Sequence, residues 1–259
     1  MMTNDFKLYA CPKCKGKLQQ QPYGLYCDDC HRDYQLNKDI PDFLITQPQE
    51  STNPFLHGFG KLLAPIYESP IWFPIMGRLL GGWDIPSFKD IIKTVNGKMS
   101  AVEGLVIDVA TGTGTFGRHI AGINRTVYGI DISLEMLQKG QYYVKREGVK
   151  NMNFARADAE SLPFGNSVFD GCLFCGSLHI FLDTAAILRE VGRTLKPGAV
   201  VCVTTLIHGE KGIYKHTLSR PHMKIFDIPD LVKIVNEAGF DQFDSQSYGC
   251  LILFTMRKK

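Results

Sequence analysis

The stretch Val106-Ile107-Asp108-Val109-Ala110-Thr111-Gly112-Thr113-Gly114-Thr115-Phe116-Gly117 decides the fold. A short apolar strand carries a carboxylate straight into a glycine turn, and a glycine turn that opens a helix can cradle a nucleotide-like ligand. Seventeen residues past Gly114, a second apolar run, Val127-Tyr128-Gly129-Ile130, ends in Asp131. That is where a doubly wound sheet places the carboxylate that grips a ribose. The pair predicts an enzyme whose cofactor contains an adenosine.

Outward from this stretch, short β-branched runs alternate with helical patterns, the sign of a parallel sheet flanked by helices. Strands are expected over 105–109, 126–130, 152–156, 169–174 and 199–206, and helices over 116–123, 134–147 and 184–195. Ser133 is placed to cap the second helix, with Glu135 near its positive end. A last helix over 227–238 is stopped by Gly239, and strands over 242–248 and 251–256 are close enough to form an antiparallel hairpin at the sheet edge. The predicted fold is α/β, a doubly wound, seven-stranded, mostly parallel Rossmann-like sheet.

The front of the chain is different. Cys11-Pro12-Lys13-Cys14 and Cys27-Asp28-Asp29-Cys30 are two knuckles separated by twelve residues, the spacing of a four-thiolate zinc site. Residues 16–26 are long enough for a hairpin that brings the turns together. In a reducing compartment zinc is favoured over two disulfides, and a module of about 40 residues needs such a staple to fold. Four thiolates leave no open position for a reactive water, so zinc here is architectural or serves substrate recognition, not catalysis. His31 reads as a surface residue, because four sulfurs already complete the tetrahedron. The domains are therefore expected as a zinc ribbon over 1–48, a helical lid or linker over 49–100 and a ligand-binding domain over 101–259.

The other cysteines read as core. Cys172 and Cys175 lie three apart on a strand and face opposite ways, so they cannot share a metal, and Cys202 and Cys250 sit singly in apolar strands.

Composition bounds the partners. With 44% hydrophobic and 21% charged residues the chain is ordinary for a globular protein, and its formal charge of +3 advertises no phosphate-binding face. Before metal, the ribbon carries equal numbers of Lys/Arg and Asp/Glu, and the zinc thiolates make it more negative, which weighs against RNA docking there. No secretion signal or membrane span of roughly 20 apolar residues is visible; the nearest approach, 62–83, is broken by Pro65, Pro70 and Pro74 and charged by Glu68 and Arg78. A cytoplasmic location is expected.

GxGxxG at Gly112, Gly114 and Gly117 is weak alone, so the rest of the chain arbitrates. Asp108 to Gly114, the acidic Asp131, Ala157-Asp158-Ala159-Glu160-Ser161-Leu162-Pro163-Phe164, Phe169-Asp170 and Arg193-Thr194-Leu195-Lys196-Pro197-Gly198 run in the order of the motifs of class I S-adenosylmethionine (SAM)-dependent methyltransferases. The resemblance covers the chain from about Gly104 onward and is nearest to the ubiquinone/menaquinone C-methyltransferase type. The front ribbon resembles that of zinc-ribbon ribosomal-RNA guanine methyltransferases, which typically include a His ligand where this chain has four Cys.

The resemblance implies SAM as cofactor. It implies that Gly112 and Gly114 let the backbone, with Ala110, approach the methionine portion. Asp108 would orient that loop or hold the ligand's amino group. Asp131 would accept from both ribose hydroxyls, with Ile132 beside it. Asp158 would accept from the adenine amino group while Ala159 N–H donates to a ring nitrogen, and the backbone of Cys175 and Gly176 would lie by the sulfonium.

Methyl transfer from a sulfonium is an in-line displacement that chiefly needs alignment and, where required, proton removal. His179 follows the fourth strand and is the candidate base, although many relatives carry two adjacent histidines where this chain has His179-Ile180. Tyr67, His216, Arg220 and His222 are further pocket candidates. The aromatic, proline-rich stretch 54–90 reads either as an apolar cover or as ordinary helix packing. Other departures are Asn166, where an acid is common, and Ala199 after Lys-Pro-Gly.

The leading expectation is methyl transfer to a small organic acceptor, lipid- or quinone-like. The alternatives are an RNA base methyltransferase and a non-catalytic SAM-binding module.

Overall fold

The computed structural model describes residues 6–44, 68, 85–209 and 224–259. The aromatic cover stretch, apart from Glu68 and its last few residues, lies outside the described residues, as do Tyr67, His216, Arg220 and His222.

Among the described residues two sheets form. The small one runs β1 (Leu18–Gln21), β2 (Gly24–Cys27), β3 (Arg32–Asn37), β4 (Ile40–Pro41), each antiparallel to the next. The large one has β5 (Gly104–Val109), β6 (Arg125–Asp131), β7 (Met152–Arg156), β8 (Phe169–Cys175), β9 (Leu195–Leu206), β10 (Phe240–Tyr248) and β11 (Leu251–Lys258) in the order β10-β11-β9-β8-β5-β6-β7. Strands β5 to β9 are parallel, and β11 inserts antiparallel between β9 and β10. The expected hairpin therefore forms, with its first strand at the edge.

Helices α1 (Phe88–Lys98), α2 (Thr115–Ile120), α3 (Leu134–Glu147), α4 (Thr184–Thr194) and α5 (Ile228–Glu237) accompany the large sheet. Ser133 Oγ accepts from Met136 N–H as a helix cap should, and Asp183 does the same for Ala186. Helix α2 stops at Ile120, three residues short of its expected end, because Gly122 and Arg125 pair their backbones in a tight turn into β6.

Lys196-Pro197-Gly198, just ahead of the strand expected over 199–206, lies inside β9. Leu195 pairs with Phe169 and Val200 with Gly171, so the intervening residues bulge out, and Gly198 supplies the left-handed φ of +79° that the bulge needs.

Alternate residues on the buried strands feed two cores. Val106 and Val127 pack with Val95, Met99, Leu137 and Leu173, whereas Ile107, Val109, Tyr128 and Ile130 pack with Phe164, Phe169, Ile187 and Phe254. This is the two-residue period of a sheet covered on both faces.

The ribbon is part of the second core. Tyr9, Leu25, Tyr34 and Phe43 join it, and Tyr9 stacks on Phe164 with ring centroids 5.3 Å apart. Its chain also touches the end of β7: Asp42 forms an isolated parallel bridge with Arg156, and Phe43 N–H donates to Arg156 C=O at 2.7 Å. Ala10 N–H donates to Pro163 C=O at 2.9 Å, and Lys15 Nζ donates to Leu162 C=O at 3.0 Å and to Glu190 at 3.2 Å.

Candidate functional site

The strand order reverses at β5 and β8, and in open α/β sheets ligands bind at the carboxyl ends of the strands where that happens. The sequence-predicted residues gather there: Asp108 to Gly114 follow β5, Asp131 and Ile132 end β6, Asp158 and Ala159 follow β7, and Cys175 and Gly176 end β8.

Asp108 is buried beneath the glycine turn. Its Oδ2 accepts from Thr111 Oγ1 at 2.5 Å, and Gly117 N–H also points at the carboxylate. Burial pushes its pKa up to about 7 against the pull of these two donors, with the Asp131 charge adding to the rise. Both of these bonds are to the glycine turn and the start of α2. Ala110 holds a left-handed φ of +52° that strains a residue with a Cβ, whereas Gly112 takes φ +58° freely.

Gly114 also packs against β7. At φ +78° it turns its α-carbon toward β7, where an added Cβ would lie 2.6 Å from Met152 Cε and 2.9 Å from Phe154 Cζ. Its missing side chain lets the turn sit on the sheet.

Asp131 joins the two loops. Oδ2 accepts from Gly112 N–H at 2.8 Å and Oδ1 from Ser133 N–H at 2.8 Å. Burial raises its pKa, and the N–H groups of Ser133, Gly112 and Ile132 oppose the rise. With three N–H donors on a carboxylate that offers about four lone-pair sites, room for a further donor remains. Asp158 Oδ1 accepts from Glu160 N–H at 2.9 Å, and Asp158 is half-exposed.

On the other side of the mouth, His179 sits in a short 3-10 turn (Leu178–Ile180), with Nδ1 3.5 Å from Thr205 Oγ1. Burial lowers its pKa to about 4, so the ring is neutral at physiological pH and can accept a proton. Cys175 Sγ contacts the Cys202 carbonyl at 3.8 Å, and the neighbouring Cys202 thiol, burial and nearby charge hold its own thiol well above the ordinary value. A thiol held protonated is a poor nucleophile.

Three groups here gave no signal in the sequence. Glu68 reaches the glycine turn from outside: it accepts from Thr113 Oγ1, from Thr115 Oγ1 at 2.7 Å, and from Arg118 Nη2 at 2.7 Å and Nη1 at 3.0 Å. Arg118, buried, also binds Glu147 at 2.9 Å and Thr113 C=O at 2.6 Å. Arg156 donates from Nε to Ile132 C=O at 2.9 Å and from Nη1 to Asp42 Oδ2 at 2.9 Å. None follows a local pattern, since each partner is at least 24 residues away except Thr113.

Two expected motifs are structural. Asp170 Oδ2 accepts from Leu105 N–H at 2.9 Å and Oδ1 from Lys196 at 2.7 Å, tying three strands at their amino ends. Arg193 donates to Phe164 C=O and Asn166 Oδ1, both at 2.9 Å, so Asn166 serves as acceptor where an acid is common.

In the ribbon, the four sulfurs of Cys11, Cys14, Cys27 and Cys30 lie within 4.8 Å of one another. Cys11 Sγ is 3.5 Å from Cys30 Sγ, and Cys14 Sγ is 3.4 Å from Cys27 Sγ. Tetrahedral zinc with bonds of about 2.3 Å sets sulfurs roughly 3.8 Å apart, so the donor set fits. Burial pushes the Cys11 thiol up, but donation from Tyr34 Oη at 3.0 Å and from the N–H groups of Cys14 and Lys13 brings it to about 6. His31 is exposed and bonds Tyr26 Oη at 3.0 Å, outside the sulfur cluster.

Residues 106–198 match the methyltransferase domain family. A demethylmenaquinone methyltransferase from Lactococcus lactis is 34% identical over 182 residues, covering 59% of this chain and 72% of that protein. An O-methyltransferase of Penicillium expansum is 28% identical over 64% of this chain and 65% of its own length, so the chain spans just under two thirds of that relative. The crystal structure of the 4+2 cyclase SpnF superposes with a TM-score of 0.62 at 20% identity, over 77% of this chain and 94% of that one, a likeness of fold. With the glycine turn, the acid at the end of β6 and the 3-2-1-4-5-7-6 strand order in place, the chain belongs to the class I SAM-dependent methyltransferases.

Proposed function

We propose that this protein transfers the methyl group of SAM to a small organic acceptor of quinone- or phenol-like chemistry. The observation that carries the reading is the Asp131 carboxylate bonded at once to Gly112 N–H and Ser133 N–H, a preorganised acceptor between glycine turn and helix cap. The acceptor class is supported by relatives named for demethylmenaquinone methylation and O-methylation. Because a cyclase shares the fold, fold alone does not fix the chemistry.

In this reading Ala110 and Gly112 offer backbone groups to the methionine part, Asp131 and Ile132 hold the ribose and adenine edge, and Asp158 with Ala159 N–H reads the adenine. Cys175 contributes backbone only. When bound, SAM supplies a methyl already activated on a sulfonium. The protein's own task is to align the acceptor, exclude water and, at His179, receive a proton on the neutral ring.

Cys11, Cys14, Cys27 and Cys30 hold a structural zinc ion. We further divide the chain into a ribbon over 1–48, a cover segment over 49–100 and a catalytic domain over 101–259, in the cytoplasm, where thiolates favour metal over disulfide. No helix among the described residues is long and apolar enough to cross a membrane.

The test is incubation with methyl-labelled SAM and fractionated lysate. Label in the small-molecule or lipid fraction is the expected result. Label only in RNA overturns the acceptor class, and label in no fraction overturns the activity.

A further inference from the structure

We infer that Arg156 is a positioning residue through which the ribbon fixes the adenosine side of the donor site. The inference rests on the reading of Asp131 and Ile132 as SAM contacts.

Residues 131–133 form the turn between the end of β6 and the cap of α3, and three of the bonds that hold them come from β7, its following loop and the glycine turn. Ala157 N–H donates to Asp131 C=O at 3.1 Å, Gly112 N–H to the Asp131 carboxylate, and Arg156 Nε to Ile132 C=O at 2.9 Å. The third holds the peptide between the ribose acid and the helix cap. A guanidinium is a rigid planar fork, so where one edge is fixed the other is aimed. Here the fixing edge belongs to the ribbon: Nη1 meets Asp42 Oδ2 at 2.9 Å, and Asp42 is itself oriented by Leu44 N–H at 3.2 Å and Asn37 Nδ2 at 3.4 Å.

The backbone makes the same connection a second time, through Phe43 N–H to Arg156 C=O at 2.7 Å and the parallel bridge of Asp42 with Arg156. The residues just after β4 thus meet the last residue of β7, at the carboxyl end where the adenosine side lies. A ribbon serving only as an appended recognition arm would need no bond to the residue that steadies Ile132.

Two variants separate this role from simple docking of the ribbon. Arg156→Lys keeps a cation opposite Asp42 but replaces the two-armed fork by one point charge that cannot reach both partners. Asp42→Asn keeps the backbone bridge and removes the charge that aims the guanidinium.

Full-length, zinc-loaded protein is titrated by calorimetry with S-adenosylhomocysteine and with methylthioadenosine, which lacks the amino-acid end, well below the melting temperature. Each variant is expected to raise both dissociation constants by about tenfold, the size of one lost charge-assisted hydrogen bond, and by the same factor, since the defect lies on the adenosine side. Wild-type affinities in both variants, or weakening confined to S-adenosylhomocysteine, overturn the inference. Wild-type protein that binds neither ligand overturns the donor reading on which it stands.

Discussion

Replacing Arg118 by Met should be among the most destabilising single changes in this protein. The guanidinium has a side-chain exposure of only 2%, and that of Glu68 is 12%. Methionine fills much of the volume but leaves Glu68 with two threonine hydroxyls and, among the described residues, no cation. Removing one member of a buried pair costs about 3–5 kcal/mol, because the other charge stays desolvated. For a chain of this size that lowers Tm by roughly 6–20 °C.

The sign of the pH dependence is set by Glu68. In the wild type, burial raises its pKa, but Arg118 with the Thr113 and Thr115 hydroxyls outweighs burial and holds it below the ordinary carboxylate value. A depressed acid stabilises the fold above its unfolded pKa of about 4.3 and loses that contribution as pH falls. Without Arg118 the burial effect prevails, the folded pKa rises above the unfolded one, and stability falls as pH rises through that interval. The cost of R118M must therefore be larger at pH 7.5 than at pH 5. Urea denaturation at both pH values measures it, and a cycle with E68Q should give a coupling of about 1–3 kcal/mol. A loss within about 0.5 kcal/mol of zero, or one that grows on acidification, would refute the reasoning.

Gly114→Ala combines a left-handed backbone with a Cβ driven against Met152 and Phe154 and should cost about 2–4 kcal/mol. Gly148→Ala, at φ +70° but with nothing within 4 Å, should cost only about 1–2 kcal/mol; equal melting temperatures for the two would show that the contact with β7 is unimportant. If His179 receives the proton, the acid limb of kcat/KM should fall near its lowered pKa of about 4 and not near 6.5, and should vanish in H179Q. A limb near 6.5 that persists in H179Q would assign the titration to another group.

Local patterns announced most of the sheet. The runs before Asp108 and Asp131 are strands because their β-branched residues are buried on both faces, and 134–147 is a helix between the expected cap Ser133 and a left-handed Gly148. Two-residue and 3.6-residue periods and caps are properties of neighbours in the chain, so they can be read from the chain. The knuckle spacing Cys11/Cys14 and Cys27/Cys30 belongs to the same class, since each turn aims its own sulfurs.

Only the tertiary structure decided which polar groups meet. That Asp108 serves the turn, that Gly114 makes room for Met152 and Phe154, that Glu68 clasps Arg118 and that Arg156 ties Asp42 to Ile132 all depend on contacts between distant segments. Such contacts arise from packing of the whole sheet, and no periodicity encodes them. The ribbon shows the division within one module: its four sulfurs follow from spacing, whereas the bridge of Asp42 and the bond of Phe43 to Arg156 at the end of β7 follow from how the ribbon packs on the large sheet.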